Sequence, residues 1–252
     1  LGAVAAEMRL AFTTSFHNSG LSDILLPQIK KDIDLDVQLV VVGTGQALKL
    51  GRAGDVDAIL VHSKKAEEAF VAEGYGTHRR EIMYNDFVLI GPSDDPAKIA
   101  TVKYIWDAMT LFALTKPAFV SRGDDSGTHR KELSLWVMAG LDVKKFDPAW
   151  YRAVGSGMGA TLNAAAGMEA YVLSDRATCI AFGNKEGMKI LVEGDPRLFN
   201  QYGVILVNPE QHPDVKAAEG QSFIDWLTGS EGQAAIAGYQ LDGQQLFFPN
   251  AE

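Results

Sequence analysis

Short apolar runs alternate with amphipathic or polar runs along the first third of the chain. The apolar runs predict strands at residues 9–12, 37–42 and 56–61. The second and third of these lack a polar face, which is typical of strands buried on both faces of a parallel sheet. The runs between and after them predict helices at residues 20–31, 46–52 and 63–73. Pro27 is expected to interrupt or bend the first helix. The βαβαβα order predicts a doubly wound α/β sheet with helices on both faces.

The pattern restarts in the middle of the chain. Two long apolar runs, residues 81–90 and 202–207, each end in a turn that contains proline. The segments between and after them predict further elements at residues 101–114, 118–120, 128–139, 159–167 and 214–239. Because the two long strands bracket the middle of the chain, they predict a double crossover between two lobes. The lobes are expected to be residues 1–88 with 205–252, and residues 89–204.

Composition, net charge and the lengths of the apolar runs exclude some classes of protein. The 252 residues are 47% hydrophobic and 22% charged, as in an ordinary globular protein. The net charge of -9, with no basic cluster to offset it, argues against a nucleic-acid partner. No apolar run reaches the length of about 18 residues that a spanning helix needs. The small residues Ala3 and Ala5 around Val4 fit the remnant of a removed export signal, or equally a cloning remnant.

The residues that usually hold metals are few and scattered. Cys179 is the single cysteine, which excludes an internal disulfide and a cysteine-based zinc site. It lies in an apolar stretch, residues 177–182, and is predicted to be a core residue. The five histidines show no i,i+4 pair and no carboxylate at metal-ligand spacing. The sequence therefore predicts no metal cation held by the protein and no cofactor.

Residues 121–129, reading SRGDDSGTH and called the clamp loop below, carry candidate chemistry. Arg122 offers a planar fork of N–H donors, Ser126 and Thr128 offer hydroxyls, and Gly127 lets the backbone approach a ligand. The loop leads into a predicted helix, where unpaired amides and the helix dipole also favour an anion. The same residues are good turn formers, however, and Ser or Asp before a helix is often only an N-cap.

Three other loops lead into predicted helices with small polar residues. The first contains Thr13, Thr14 and Ser15 within a run of five hydroxyl or amide side chains, more than one N-cap needs. The second reads GTG around Thr44 and also fits a tight βα turn. The third, GSGMGA at residues 155–160, matches the dinucleotide-binding fingerprint poorly because no good strand precedes it and no suitably placed acidic residue follows. A glycine-rich helix start nevertheless exposes amides to an anion.

Taken in order and spacing, these segments resemble the periplasmic tungstate-binding proteins of Tup-type ABC transporters. The segments are FTTS with SGL, VVGTGQALKLGRAGDVDAILVHS, YNDFVLIGP, FVSRGDDSGTH and GSGMGATL. The resemblance implies a type II periplasmic-binding-protein fold, with two α/β lobes joined by a double-crossover hinge and an oxyanion held at helix N-termini in the cleft between them. The first loop of that family reads TTTS, whereas this chain has Phe12 at the first position.

The resemblance also implies a site and partners. Matching motif positions assigns the oxyanion to Thr14, Ser15, Thr44, Arg122, Ser126, Gly127, Thr128 and Gly159. The implied ligand is tungstate, with molybdate as a close competitor, and the implied partner is the membrane permease of an ABC transporter. The protein is expected to be a periplasmic monomer, exported with removal of its signal peptide, and not an enzyme.

Two alternatives stay open at this point. Tungstate carries no proton near neutral pH and needs only donors, whereas monohydrogen phosphate brings a proton that Asp124 or Asp125 would accept. Either carboxylate could instead pair with Arg122 and orient it. A hydrolase using Ser126, or a phosphotransferase, is the more distant alternative, because the chain lacks a P-loop lysine motif and a trustworthy nucleophile elbow.

Overall fold

The computed structural model of the protein describes residues 6–185 and 187–252, apart from the side chain of Ser15. The chain forms two compact units. The first contains the chain up to Tyr84 together with Asn200–Glu252, and the second is Asn85–Phe199. The chain passes from one unit to the other twice, each time within a strand. The lobe boundaries expected from the sequence, after residues 88 and 204, lie a few residues further along the same two strands.

Strands and helices alternate through both units. The strands are β1 (Ala6–Thr13), β2 (Leu35–Val42), β3 (Ala58–Val61), β4 (Gly76–Pro92), β5 (Phe119–Ser121), β6 (Tyr151–Ala153), β7 (Tyr171–Asp175), β8 (Met188–Val192), β9 (Phe199–Val207), β10 (Gln240–Leu241), β11 (Gln244–Gln245) and β12 (Phe248–Pro249). The α-helices are α1 (Thr14–Asn18), α2 (Leu21–Ile33), α3 (Thr44–Ala53), α4 (Lys64–Ala72), α5 (Ile105–Thr115), α6 (Gly127–Met138), α7 (Met158–Gly167), α8 (Arg176–Ala181), α9 (Ala217–Thr228) and α10 (Ser230–Gly238). The α/β class predicted from the sequence is confirmed.

The sheet of the first unit places two helix N-termini at one edge. β1 lies between β2 and β3 and is parallel to both, and β3 pairs antiparallel with β9. β3 is buried along its whole length because its residues are apolar on both faces. Thr13 is in register with Val42, so β1 and β2 end at the same edge of the sheet. The helices that follow them, α1 and α3, therefore both begin at that edge.

The sheet of the second unit repeats this arrangement. β5 lies between β6 and β7 and is parallel to both, whereas β7 and β8 each pair antiparallel with β4. Ser121 is in register with Ala153, so β5 and β6 end at the same edge. An aromatic core supports the sheet, in which Phe119 and Trp136 are fully buried with ring centroids 5.2 Å apart. The loops that lead into α6 and α7 both start from this edge.

Several local predictions need correction. The polar loop expected after the first strand is the short helix α1, and α2 continues through Pro27 without interruption. The helical run expected at residues 214–239 is two helices separated at Gly229, where a Cβ would lie 2.9 Å from the carbonyl oxygen of Asp225. The sequence did not predict β7 and α8, because β7 passes directly into α8 at Asp175 without a glycine or proline turn.

Candidate functional site

The clamp loop is the N-terminal cap of α6. Ser126 is the N-cap residue, and its Oγ accepts a hydrogen bond from the amide of His129 at 3.2 Å. The backbone ladder of the helix starts with Arg130 N donating to Ser126 O at 2.9 Å. The amides of Gly127 and Thr128 precede these bonds and have no acceptor within the helix. This end of α6 therefore presents two N–H donors and the positive end of the helix dipole.

Arg122 is held by Asp124. Its Nε and Nη2 donate to the same carboxylate oxygen, Oδ2, at 3.1 and 2.5 Å. The other oxygen of Asp124 accepts the amide of Ser126 at 3.2 Å. Both side chains are about one-fifth exposed, at 18% for Arg122 and 20% for Asp124. The pair fixes the guanidinium next to the start of α6 and leaves its remaining N–H groups as donors.

The carboxyl group of Asp124 is ionised at neutral pH. Partial burial raises its pKa, but hydrogen bonds from the hydroxyl and amide of Ser126 and from the Arg122 guanidinium outweigh burial, so the pKa lies below its ordinary value. Both carboxylate oxygens already accept hydrogen bonds. Of the two roles that the sequence left open for Asp124, the geometry shows the one that orients Arg122.

Asp125 is turned towards a different arginine. Its two oxygens accept from Nε and Nη2 of Arg130 at 3.0 and 2.9 Å, and both side chains are mostly exposed. The Arg130 guanidinium lowers the pKa of Asp125. The amide of Asp125 donates to Nδ1 of His129 at 3.0 Å. Asp125 therefore stabilises the solvent-exposed side of the turn that leads into α6.

The glycine-rich loop before α7, residues 154–157, lies beside the clamp loop. Val154 N donates to Ser121 O at 3.0 Å, and Gly155 N donates to Arg122 O at 2.8 Å. Gly123 has a φ of 61°, and a Cβ there would lie 2.6 Å from the Cβ of Ala153. A larger residue at position 123 would therefore push the two loops apart.

The start of α7 supplies further donors. The first backbone bond of this helix runs from Thr161 N to Gly157 O at 3.0 Å. The amides of Met158, Gly159 and Ala160 precede it and have no acceptor within the helix. A Cβ at Gly159 would meet no atom within 4 Å, so no neighbouring group crowds the helix at this position. The structure thus brings Arg122 and the N-termini of α6 and α7 together on adjacent loops of the second unit.

The predicted residues of the first unit follow the ends of β1 and β2. Thr14 is exposed at the start of α1, and Ser15 is the second residue of that helix. Thr44 is the first residue of α3, whose backbone ladder starts with Ala47 N donating to Gly43 O at 2.9 Å. The amides of residues 44–46 therefore precede the ladder of α3 and have no acceptor within the helix.

Some of the polar side chains in the first loop form hydrogen bonds within that loop. Thr13 is buried, and its Oγ1 accepts from the amide of Phe16 at 3.4 Å. The hydroxyl of Ser19 donates to Phe16 O at 2.6 Å and accepts from the amide of Leu21 at 3.3 Å. Thr13 and Ser19, two of the five polar side chains of this loop, therefore take part in its own turns. Phe12, where the resembling family has threonine, is a fully buried core residue.

Sequence reasoning missed a hydrogen bond between the buried Glu132 and the partly buried Tyr151. Glu132 of α6 is 2% exposed, and Oε1 of its carboxyl group accepts from the hydroxyl of Tyr151 at 2.6 Å. The available signal was an acidic residue four positions after Thr128. Residues at i and i+4 share one face of a helix, and here that face is buried.

Comparisons with known proteins place this geometry in a family. The chain matches a PBP superfamily domain over residues 3–231. It is 45% identical over 246 residues to the tungstate-binding protein TupA of Peptoclostridium acidaminophilum, which covers 96% of this chain and 85% of that protein.

Solved structures give the same result. The tungstate-binding protein TupA from Desulfovibrio alaskensis G20 superposes with a TM-score of 0.94 at 44% identity, covering 98% of this chain and 100% of that chain. The structure of the tungstate ABC transporter from Geobacter sulfurreducens has a TM-score of 0.77 at 46% identity, covering 92% and 98% of the two chains.

The chain belongs to the PBP superfamily, a family of solute-binding proteins. The sequence resemblance to Tup-type tungstate-binding proteins is confirmed by relatives that share close to half of their residues with it along nearly its whole length. Within residues 6–185 and 187–252, no helix has the length and apolar character needed to cross a membrane.

Proposed function

We propose that this protein captures tungstate and delivers it to the membrane permease of an ABC transporter. The observation that carries the proposal is the Arg122–Asp124 pair at the start of α6. It presents a fixed guanidinium beside the amides of Gly127 and Thr128, which have no acceptor within α6. The names of the relatives, tungstate-binding protein and tungstate ABC transporter, support the identity of the ion and the link to a transporter.

The donor set suits an ion without a proton. Tungstate near neutral pH is a dianion whose oxygens accept hydrogen bonds and offer none. Arg122 and the amides at the starts of α6 and α7 can only donate, and the hydroxyl of Thr128 can donate as well. We propose molybdate, which has nearly the same shape and charge, as the close competitor. Contacts of the ion with Thr14, Ser15 and Thr44 stay predictions. That one ion binds these residues together with the donors of the second unit also stays a prediction.

Phosphate is less well supported as the ligand. Monohydrogen phosphate requires an acceptor for its proton, and the nearest carboxylate in sequence is Asp124. Both oxygens of Asp124 are already engaged by Arg122 and by the amide of Ser126, and its pKa is lowered. Asp125 is paired with Arg130. Neither carboxylate is arranged to accept a proton from a bound ion.

A binding role without catalysis also fits the surroundings of Ser126. Its Oγ caps α6 by accepting the amide of His129, while Nδ1 of His129 accepts the amide of Asp125. Deprotonation of a nucleophilic serine by histidine requires an unprotonated ring nitrogen that accepts from the hydroxyl. Because Nδ1 accepts the amide of Asp125, the proton of a neutral His129 ring lies on Nε2, and neither nitrogen is free to act as this base. We infer that the ion is a transported ligand, that the protein uses no cofactor, and that it works as a periplasmic monomer after export.

Calorimetry with four anions tests the proposal. Tungstate and molybdate are expected to bind with a stoichiometry of one ion per chain, whereas phosphate and sulfate at the same concentrations bind much more weakly. A titration in which phosphate binds as tightly as tungstate would replace the proposed ligand. No heat from any of the four anions, in protein freed of bound ions by partial unfolding and refolding, would remove the oxyanion function altogether.

A further inference from the structure

Glu132 links the helix that follows the clamp loop to the strand that leads into α7. It lies on the buried face of α6, four residues after Thr128 and one and a half turns from the start of the helix, roughly 8 Å along the helix axis. Tyr151 is the first residue of β6. The Tyr151 hydroxyl donates to Oε1 of Glu132 at 2.6 Å, and the indole Nε1 of Trp136 donates to the same oxygen at 3.0 Å.

The strand held by this link continues directly into the second group of donors. β6 pairs in parallel with β5, with Tyr151 in register with Phe119 and Ala153 in register with Ser121. The pairing extends past the strands, since Gly155 N donates to Arg122 O at 2.8 Å. Any shift of β6 along β5 would therefore move the amides at the start of α7 relative to Arg122.

Burial of an acidic side chain at this position costs desolvation free energy unless hydrogen bonds or an ionic partner compensate it. Glu132 is 2% exposed, burial raises its pKa, and no cationic side chain forms a salt bridge with it within the described part of the chain. A leucine of similar volume would pack in this aromatic core without any desolvation cost. The retained carboxyl group instead accepts two hydrogen bonds at one oxygen, one from its own helix and one from β6.

We propose that Glu132 is a positioning residue for oxyanion binding, which fixes the N-terminus of α6 relative to that of α7 through its hydrogen bond with Tyr151. Donors of a helix terminus lose binding strength quickly with small displacements, because a hydrogen bond weakens steeply with poor distance and angle. The inference rests on the proposed oxyanion function. It concerns two side chains beneath the site that need not touch the ion.

Four single variants, and the double variant that combines Glu132→Leu with Tyr151→Phe, test the proposal in tungstate titrations. Tyr151→Phe removes only the donor, Glu132→Leu removes the acceptor, and Glu132→Gln keeps an acceptor oxygen for both Tyr151 and Trp136. Phe112→Leu is the control, because it loosens the same aromatic core, where Phe112 packs against Trp136, without removing either partner of the Glu132–Tyr151 hydrogen bond. The melting temperature of each variant is measured alongside, so that affinities are compared at similar stability.

Tungstate affinity is expected to fall in the variants that remove the Glu132–Tyr151 hydrogen bond and to stay nearly unchanged in the control. Glu132→Leu and Tyr151→Phe are expected to weaken tungstate binding by about tenfold, and the double variant by hardly more than either alone. Glu132→Gln is expected to recover most of the affinity, and Phe112→Leu to bind nearly as the wild type does. Glu132→Leu or Tyr151→Phe binding as tightly as Phe112→Leu, or Glu132→Gln binding as weakly as Glu132→Leu, would overturn the proposal.

A second measurement needs no ligand. The backbone amide resonances of Gly127 and Gly159 report the environments of the two helix starts, and both are expected to shift in Tyr151→Phe and stay in place in Phe112→Leu. Unshifted resonances in Tyr151→Phe would overturn the positioning role even if Glu132→Leu failed to fold. If the wild type binds no oxyanion but the resonances shift, the proposed function fails while the structural link stands.

Discussion

Arg122 and Asp124 form a two-point contact on a single oxygen, in which Nε and Nη2 of the arginine both donate to Oδ2 of the aspartate. Because the second oxygen of Asp124 accepts the amide of Ser126, the carboxylate joins the guanidinium to the cap of α6. A residue two positions away in sequence thus decides where the main positive charge of the proposed site points. The account of function depends on this arrangement.

Removal of the Arg122 charge is expected to weaken tungstate binding strongly. A charge-assisted hydrogen bond contributes roughly 1.5 to 3 kcal/mol, so Arg122→Ala is expected to lose at least about tenfold in affinity. Arg122→Lys keeps the charge but loses the planar fork, so its affinity is expected to lie between those of the wild type and Arg122→Ala. Calorimetry measures the tungstate affinity of all three proteins. The control is Arg130→Ala, since Arg130 pairs with exposed Asp125 and is itself mostly exposed. Equal affinities for Arg122→Ala and Arg130→Ala would remove Arg122 from the site.

The pH dependence linked to Asp124 has a defined sign. Its pKa is lower in the folded protein than the ordinary value of 3.8, so its contribution to stability is fully present above that value. The contribution is lost as the pH falls through the lowered pKa. Asp124 is therefore expected to add no pH dependence to tungstate binding between about pH 6 and pH 8.

Asp124→Asn separates the two candidate ligands. The variant is expected to weaken tungstate binding only as far as Arg122 loses its orientation, a several-fold effect. A site that needed Asp124 as the acceptor of a phosphate proton would behave differently, because phosphate changes its protonation near pH 7. Competition between the two anions, measured across that pH range with wild type and Asp124→Asn, checks this. Phosphate displacing tungstate at comparable concentration, with a pH dependence that vanishes in the variant, would favour the phosphate alternative.

Gly123 is expected to be intolerant of a side chain for two reasons. Its φ of 61° is unfavourable for other residues, and a Cβ there would contact Ala153 of β6. Gly140→Ala is the matched control, because Gly140 has a φ of 75° but no atom within 4 Å of a built Cβ. Gly123→Ala is expected to destabilise the protein by about 1 kcal/mol or more beyond Gly140→Ala, and to weaken tungstate binding. Equal melting temperatures for the two variants would show that the contact with Ala153 is easily relieved.

A buried ion pair in the first unit is expected to affect stability rather than ligand choice. Glu67 is fully buried, and its carboxylate accepts from Nε of Arg79 at 2.5 Å. Arg79→Leu leaves that carboxylate without its partner and is expected to cost about 3 to 5 kcal/mol in the free energy of unfolding. Lys30→Ala removes exposed pairs with Asp34 and Asp36, which solvent screens, and is expected to lower the free energy of unfolding far less. Denaturant unfolding compares the two, and similar costs would contradict the assigned importance of burial.

Much of the fold follows from local pattern. The strands β2 and β3 and the helices after them are recognisable because apolar runs end at polar or glycine-containing loops. The expected burial holds for β3 but is wrong for β2, which is an edge strand whose residues after Leu35 are all at least partly exposed. The start of α6 is equally readable, since Ser126 is a typical N-cap residue before Gly127. β7 and α8 are not readable in this way, because Asp175 belongs to the strand and caps the helix as well, with Oδ2 accepting from Thr178 N at 2.8 Å.

The candidate site shows the limits of sequence in another way. Residue types alone could not decide whether Asp124 orients Arg122 or accepts a proton, because both roles use the same carboxylate. Only coordinates show that both of its oxygens are engaged. The Glu132–Tyr151 contact was equally out of reach, since it joins residues 19 positions apart on a helix and a strand.

The most direct test of the central claim is a native mass spectrum of the ion-free protein mixed with equimolar tungstate and phosphate. We expect one added mass, that of a single tungstate per chain, in the wild type and in Arg130→Ala. The same adduct is expected to be strongly depleted in Arg122→Ala. A spectrum in which the wild type carries phosphate, or in which Arg122→Ala retains tungstate as fully as Arg130→Ala, would contradict the account.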